Sequence, residues 1–239
     1  MFNARATDEE EYLDRPDCDP ALAALSYRFM ETVNRAFGGI RVVRRFLAAE
    51  AARRDSGPPL RVLDIGSGSG DIPLALSQWG RENHIPLHFT CLEPSGPAAA
   101  LARAKFKQAG DPAIHLLQED VFTHQPAEPY DVAVSSMCFH HFSTDKILEL
   151  VQRLRGFVRG GLLINDLQRS PLAYLGAWLL LSGTLPSLRH DALLSIRRGF
   201  TVRELGAWLR PLDNVAVTVE PAWLFRISAV VRFTPGGSP

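Results

Sequence analysis

Cysteine is scarce in this chain. Cys18, Cys91 and Cys138 are the only three in 239 residues, odd in number and scattered, so they offer neither a disulfide framework nor a metal-ligand spacing. They read as reduced thiols, which points to a cytoplasmic protein. Net charge is absent too. The 26 basic residues are balanced by 26 acidic ones, so the basic footprint of a nucleic-acid-binding protein is missing. Long apolar runs are lacking: the longest, Ala173 to Leu181, is interrupted by Gly176 and is too short for a bilayer span. Stable membrane insertion is therefore not expected. The opening stretch MFNARATDEEEYLDRPDCDP is acidic and polar, with no apolar segment of a secretory signal. No internal repeat or low-complexity tract is found.

What is present is an ordinary apolar share, 46%, enough to bury a substantial core in one large α/β domain or two small ones. The first twenty or so residues are expected to be a flexible lead-in. Leu22, Leu25, Phe29, Val33 and Phe37 recur at helical spacing over Ala21–Ala52. Gly38-Gly39 breaks that stretch and a second helix, Ile40–Arg54, follows. Ser56-Gly57-Pro58-Pro59 marks a boundary, which divides the chain into 1–56 and 57–239. Beyond it the pattern alternates. Strands are expected at Arg61–Ile65, Leu87–Leu92, Ile114–Gln118, Val132–Ser135 and Gly161–Asn165. Helices are expected at Pro73–Asn83, Gly96–Ala109 and Thr144–Phe157. Such alternation implies a parallel sheet with right-handed crossovers. The last third departs from it, with an apolar helix over Leu172–Leu185 and a capped one over Val202–Leu209, where Thr201 and Glu204 form a capping box. Val215–Val219 and Phe225–Phe233 read as an antiparallel pair closing the sheet.

The stretch Val62-Leu63-Asp64-Ile65-Gly66-Ser67-Gly68-Ser69-Gly70-Asp71 is a buried strand running into a glycine turn and a helix. Glycines alternating with serines let a ligand lie directly against the backbone. The spacing is G-x-G-x-G. A dinucleotide fingerprint needs its last glycine one residue later, where this chain has Asp71, an acid that would repel a pyrophosphate. The turn therefore suits a nucleoside without a phosphate bridge. In an open α/β sheet the ligand lies at the carboxyl ends of the strands. Glu93, ending the second strand, fits a ribose diol. Asp120, after the third, fits an adenine amino group, with Val121 or Phe122 against the ring. Ser135 and Ser136 end the fourth strand beside the glycine turn.

These residues resemble motif I and the following strand ends of the class I S-adenosyl-L-methionine (SAM) dependent methyltransferases. The resemblance covers roughly Leu60 to Leu167. It implies a Rossmann-like, seven-stranded, mostly parallel sheet with an antiparallel last strand and helices on both faces. An N-terminal helical segment (1–56) would cap it, and a helical lid insertion at about 170–200 would cover the acceptor. It carries Asp64, Gly66, Gly68, Gly70, Glu93 and Asp120 onto cofactor roles, with Ser67, Pro94, Val121 and Ser135 beside them. Asn34–Gly39, Phe139-His140-His141-Phe142 and Ile164–Ser170 are similar to small bacterial enzymes of the quinone-biosynthesis-like and natural-product branch.

The chain lacks the Asp/Asn-Pro-Pro-aromatic element of nucleic-acid amino-methyltransferases, having Ser135-Ser136-Met137-Cys138 instead. It also lacks the paired carboxylates of a magnesium-dependent catechol-type site, so no metal is expected. Since the cofactor carries its own reactive sulfonium, the protein must position an acceptor and remove a proton. His140, His141 and His190 are the candidate bases, and Asp166 could orient one or bind the acceptor. His84, His88, His115 and His124 read as surface residues. Tyr174, Trp178, Leu181 and Leu185 recur along one helix face and could cover the acceptor, and Arg189, Arg197 and Arg198 could bind a carboxylate. The expected reaction is methylation of a small, mainly apolar or aromatic acceptor, phenolic, polyketide-like or quinone-like, with oxygen favoured over carbon. The protein would act as a monomer or homodimer in secondary metabolism. The rival readings are a quinone-type C-methyltransferase, a non-catalytic SAM-binding regulator and a nicotinamide oxidoreductase.

Overall fold

The computed structural model describes residues 2–15, 17–54 and 57–234. Ser56, the first residue of the expected boundary, lies outside them. The elements run α1 (Pro20–Ala36), α2 (Gly39–Ala51), β1 (Leu60–Ile65), α3 (Asp71–Glu82), β2 (Leu87–Leu92), α4 (Gly96–Ala109), β3 (Ile114–Leu117) and β4 (Tyr130–Ser136). They continue with α5 (Thr144–Leu154), β5 (Val158–Leu167), α6 (Pro171–Leu180), α7 (Pro186–Arg198), α8 (Val202–Leu209), β6 (Val215–Ala222) and β7 (Arg226–Phe233). The sheet order is β3-β2-β1-β4-β5-β7-β6. Strands β3, β2, β1, β4 and β5 are mutually parallel, and β7 is antiparallel to both β5 and β6. This is the Rossmann-like class expected. After β1 the chain builds outward to β3, then crosses back to place β4 on the other side of β1. The crevice between β1 and β4 is thus the switch point where such sheets bind ligands.

The central strands are apolar throughout because both faces are covered. In β1, Leu63 and Ile65 enter the core beneath α5 and α8, while Leu60 and Val62 enter the core beneath α2, α3 and α4. In β5, Leu162 and Ile164 face one core and Leu163 the other. Caps fix the helix starts. Asp19 accepts the Ala21 and Leu22 amides ahead of α1, Ser95 caps α4, and Thr201 with Glu204 forms the capping box of α8.

Several boundaries differ from expectation. Helix α2 stops at Ala51, and α5 stops at Leu154, just before Gly156. Helix α3 begins directly off Gly70, and β4 and β5 run longer than read. The apolar helix ends at Leu180 rather than Leu185, and Pro186 starts α7. The N-terminal lead-in is not loose. Arg5 donates to the Arg198 and His140 carbonyls at 2.7 Å each, and a 3-10 turn, Tyr12–Asp14, offers the Tyr12 and Leu13 amides to the Asp191 carboxylate at 2.8 and 3.0 Å. Among the described residues no helix is long and apolar enough to cross a membrane.

Candidate active site

The turn after β1 leaves the sheet through three glycines with positive φ, 69° at Gly66, 55° at Gly68 and 77° at Gly70. Only glycine adopts this sequence of conformations without strain. A Cβ on Gly66 would stand 2.6 Å from Cys138 Sγ, and one on Gly70 would stand 2.5 Å from the Phe106 ring. Gly66 and Ser67 donate their amides to the Leu92 carbonyl at 2.9 and 3.1 Å, which ties the turn to the end of β2. There the Glu93 carboxylate accepts the Gly68 amide at 2.7 Å and the Ser95 amide at 2.9 Å. Each carboxylate oxygen keeps a lone pair for a further donor. Ser69 donates to Glu31 at 2.7 Å, and Lys105 pairs with Glu31 behind it.

These groups form the floor of a cleft of about 580 Å³. Among the described residues five carboxylates line it, from Glu11, Asp14, Asp64, Asp71 and Glu93, with Arg15 the one arginine or lysine on its wall. Burial pushes the Asp64 carboxyl up to about 7 and raises Asp71 and Glu93 above the usual carboxylate range. One Asp64 oxygen, Oδ2, is buried without a hydrogen-bond partner. A ligand bearing positive charge and N–H donors would relieve all three. S-adenosylmethionine, with its sulfonium and ammonium groups, fits these residues, and a pyrophosphate does not.

Of the expected cofactor residues, Asp64, Gly66, Ser67, Gly68, Glu93 and Pro94 line the cleft. The others do not. Gly70 turns the chain into α3 against Phe106. Asp120 is exposed and accepts the Phe122 amide of its own turn at 2.9 Å, because that amide is the nearest donor. Val121 is buried in the core beside Leu92 and Phe139. Ser135 is spent on the sheet, donating to the Ile65 carbonyl at 2.9 Å, and Ser136 reaches the cleft in its place.

At the far wall, the stretch after β4 makes a 3-10 turn, Phe139–His141. His140 is 2% exposed and Asp166, from the end of β5, is 1% exposed. His140 Nδ1 lies 2.7 Å from Asp166 Oδ1, and the His140 amide donates to Asp166 Oδ2 at 3.2 Å. Burial opposes the charge on Asp166, but His140 and the Leu167 amide outweigh it and hold this carboxyl below its ordinary value. An ionised carboxylate only accepts, so Nδ1 carries a proton and Nε2 is the ring nitrogen left for other partners. His140 Nε2 is buried without a hydrogen-bond partner, 3.8 Å from Glu11 Oε1, and the residue lines the cleft.

His141 stands at the rim, its Nδ1 3.0 Å from Asp14 Oδ2. Burial pulls its pKa down, but Asp14 and Glu11 outweigh that and raise it. His190 lines neither the cleft nor the apolar cavity beside it. It lies inside α7, is exposed, rests edge-on against Tyr12 and touches Asp191 at 3.1 Å. His124 is buried rather than on the surface, bridging Glu119 at 2.8 Å and Tyr130 at 3.0 Å. Glu11, His140 and His141 offer ligand atoms within 4.8 Å of one another. Arg198 Nη1, 3.4 Å from both Glu11 Oε1 and His141 Nδ1, already brings positive charge to that group.

A second cavity, about 410 Å³ and mostly apolar, shares Glu11, Leu13, Met30, Met137 and Ser195 with the cleft. Helix α6 covers it with Ala173, Gly176, Ala177 and Leu180, and Leu181 follows, so the covering face is rotated from the stripe read in the sequence. Tyr174 instead packs on Phe2, Trp178 lies beneath Arg189, and Leu185 is exposed. Arg197 pairs with Glu9, and Arg198 with Glu11 and Asp14, so these arginines are engaged by the lead-in. Glu11 and Arg226 were not singled out in the sequence. Nothing distinguishes Glu11 within its acidic run, and Arg226 reads as an ordinary strand residue.

Residues 62–161 match the methyltransferase domain family. No curated protein is matched by the sequence. Among solved structures, the chain is similar to the plantazolicin methyltransferase BpumL in complex with SAH (S-adenosylhomocysteine). The TM-score is 0.67 at 16% identity, over 94% of this chain and 93% of that one. It is also similar to magnesium protoporphyrin IX methyltransferase (ChlM) from Synechocystis PCC 6803 with bound SAM, with TM-score 0.55 and 12% identity over 82% and 78% of the two chains. A third is the S-adenosylmethionine-dependent methyltransferase SibL in its apo form, with TM-score 0.62 and 20% identity over 92% of this chain and 60% of that one.

Proposed function

We propose that this chain is a class I SAM-dependent methyltransferase and that it methylates a hydroxyl group on a small, mainly apolar or aromatic acceptor. The observation that carries this reading is the buried His140–Asp166 pair. Its Nε2 is buried without a hydrogen-bond partner, and His140 lines the cleft that adjoins an apolar cavity.

The cofactor supplies an electrophilic methyl group. Glu93 would hold the ribose hydroxyls through its remaining lone pairs, and Asp64 Oδ2 would accept from the ammonium. His140 Nε2 would take the proton of the acceptor hydroxyl as that oxygen becomes nucleophilic. Asp166 fixes the tautomer through Nδ1 and balances the imidazolium that forms. The apolar walls from α1 and α6 keep water from competing for the methyl group.

The first test is a calorimetric titration with S-adenosylhomocysteine, with NADH as control, followed by a screen of phenols, quinols and polyketide acids with labelled SAM. Binding of the first ligand alone and turnover of a hydroxylated acceptor are expected. Binding of NADH instead would overturn the reading. SAH binding without turnover of any acceptor would favour the regulator.

A further inference from the structure

Among the described residues Arg226 is the largest fully buried side chain, 1% exposed. Its contacts are neutral. Nη2 donates to Asn34 Oδ1 at 2.9 Å and approaches Met137 Sδ at 3.2 Å, and Nη1 reaches Ser136 Oγ at 3.5 Å. Nε is buried with no partner. Among the described residues no carboxylate forms an ion pair with it, whereas Arg169 and Arg232 each have one and Arg198 has two. A buried cation without a counter-ion is costly, and a guanidinium keeps its proton rather than shed it. Burial lowers its pKa only to about 10, against the longer-range pull of Asp166 and Asp71.

The placement is specific. Leu224 and Phe225 both have positive φ, 50° and 60°, which turns the chain sharply into β7. The register then sets Arg226 opposite Leu167, one position from the pairing of Ile227 with Asp166. Among the described residues Arg226 is the one arginine or lysine in the lining of the apolar cavity, whose walls include Phe29, Phe37 and Ile196, together with Glu11, paired with Arg198, and Asp191, bonded by the Tyr12 and Leu13 amides. It does not line the cofactor cleft. Asn34 stands between, accepting from Arg226 and donating to Asp71 Oδ2 at 3.1 Å.

We propose that Arg226 is the anion-recognition site of the acceptor cavity, so the acceptor is an apolar or aromatic molecule bearing a carboxylate. The guanidinium would present free N–H donors to that group, and the apolar walls would take the remainder. This rests on the methyl-transfer reading above. A carboxylate could also come from the methionine part of the cofactor, and the experiment separates the two sources.

The full chain, saturated with S-adenosylhomocysteine, would be titrated calorimetrically with 2-naphthoate and with its neutral counterpart 2-naphthamide. The acid should bind at least about tenfold more tightly, the size of one charge-assisted contact. In Arg226→Gln that preference should vanish while SAH affinity stays within about twofold, and Arg226→Lys should keep part of it. Equal binding of acid and amide by the wild type, or binding of neither, overturns the proposal. So does a fall in SAH affinity with the acid preference intact, which would assign the guanidinium to the cofactor. If Arg226→Gln does not fold, the wild-type ratio and Arg226→Lys decide. Failure of the wild type to bind SAH would instead sink the methyltransferase reading, and the acid-to-amide ratio is then measured on the protein alone.

Discussion

The imidazole of His140 and the carboxylate of Asp166 meet at 2.7 Å, one from the turn after β4 and the other from the end of β5. Adjacent parallel strands bring them together, with Ser136 beside Asn165 in the ladder. His140→Gln should lower turnover of a phenolic acceptor by a factor of about 10² to 10⁴ near neutral pH, while SAH affinity holds. The deficit should shrink toward pH of about 10, where a phenol ionises unaided. Asp166→Asn should shift the same pH profile, which loss of packing alone would not do. A pH-independent deficit in His140→Gln would remove histidine from proton transfer.

Asp64 gives a second pH signature. Burial raises its folded pKa from 3.8 to about 7. For an acid raised in this way, the proton stabilises the ligand-free fold below 3.8, and that contribution is lost as pH rises toward 7. A ligand ammonium favours the ionised form, so SAH should bind more tightly as pH rises from about 6 to about 8. Binding near pH of about 6.5 should release a proton, seen as a dependence of the calorimetric heat on the buffer's ionisation enthalpy. Asp64→Asn should abolish both. A wild type with flat affinity over that range would show that Asp64 does not meet the ligand's charge.

Gly70 tests the turn sterically. Its φ is 77° and an added Cβ would lie 2.5 Å from the Phe106 ring. Gly70→Ala combines left-handed strain with overpacking and should cost about 2–4 kcal/mol in chemical denaturation. Phe106→Leu in the same chain should recover part of that loss. Recovery of none would place the whole cost in the backbone.

The sheet was legible because its strands are buried on both faces and its helix ends carry caps. Leu87–Leu92, Gly96–Ala109 and Val202–Leu209 were read to the residue. The glycine turn and Glu93 were legible because their geometry is local to strand ends. The rest of the site depends on contacts distant in sequence. Asp120 looks like a ligand-binding acid in the sequence, and in the fold it stands outside the cleft lining with one oxygen on the amide of its own turn at 2.9 Å. Glu11 is one of four consecutive acids, and only its burial against Ser195, at 2.8 Å, sets it apart. His190 carries no mark in the sequence of which face of α7 it occupies.

The lead-in over the cleft gives the last test. His141 Nδ1 meets Asp14 Oδ2 at 3.0 Å, and Arg198 Nη1 lies 3.4 Å from the same carboxylate oxygen. Glu11 and His140 are the other titratable groups beside His141. Burial disfavours the imidazolium, but Asp14 and Glu11 prevail, and the folded pKa stands above 6.5. A histidine raised in this way adds stability fully below 6.5, and that stability is lost as pH climbs through the folded value. Amide protection of the Tyr12–Asp14 turn, corrected for intrinsic exchange, should therefore fall with rising pH. In His141→Gln it should be lower at acidic pH and flat. The Tyr12 and Leu13 amides also bond to Asp191. A flat wild-type profile would mean that Asp191 and Arg198 hold the lead-in by themselves, with His141 a bystander at the rim.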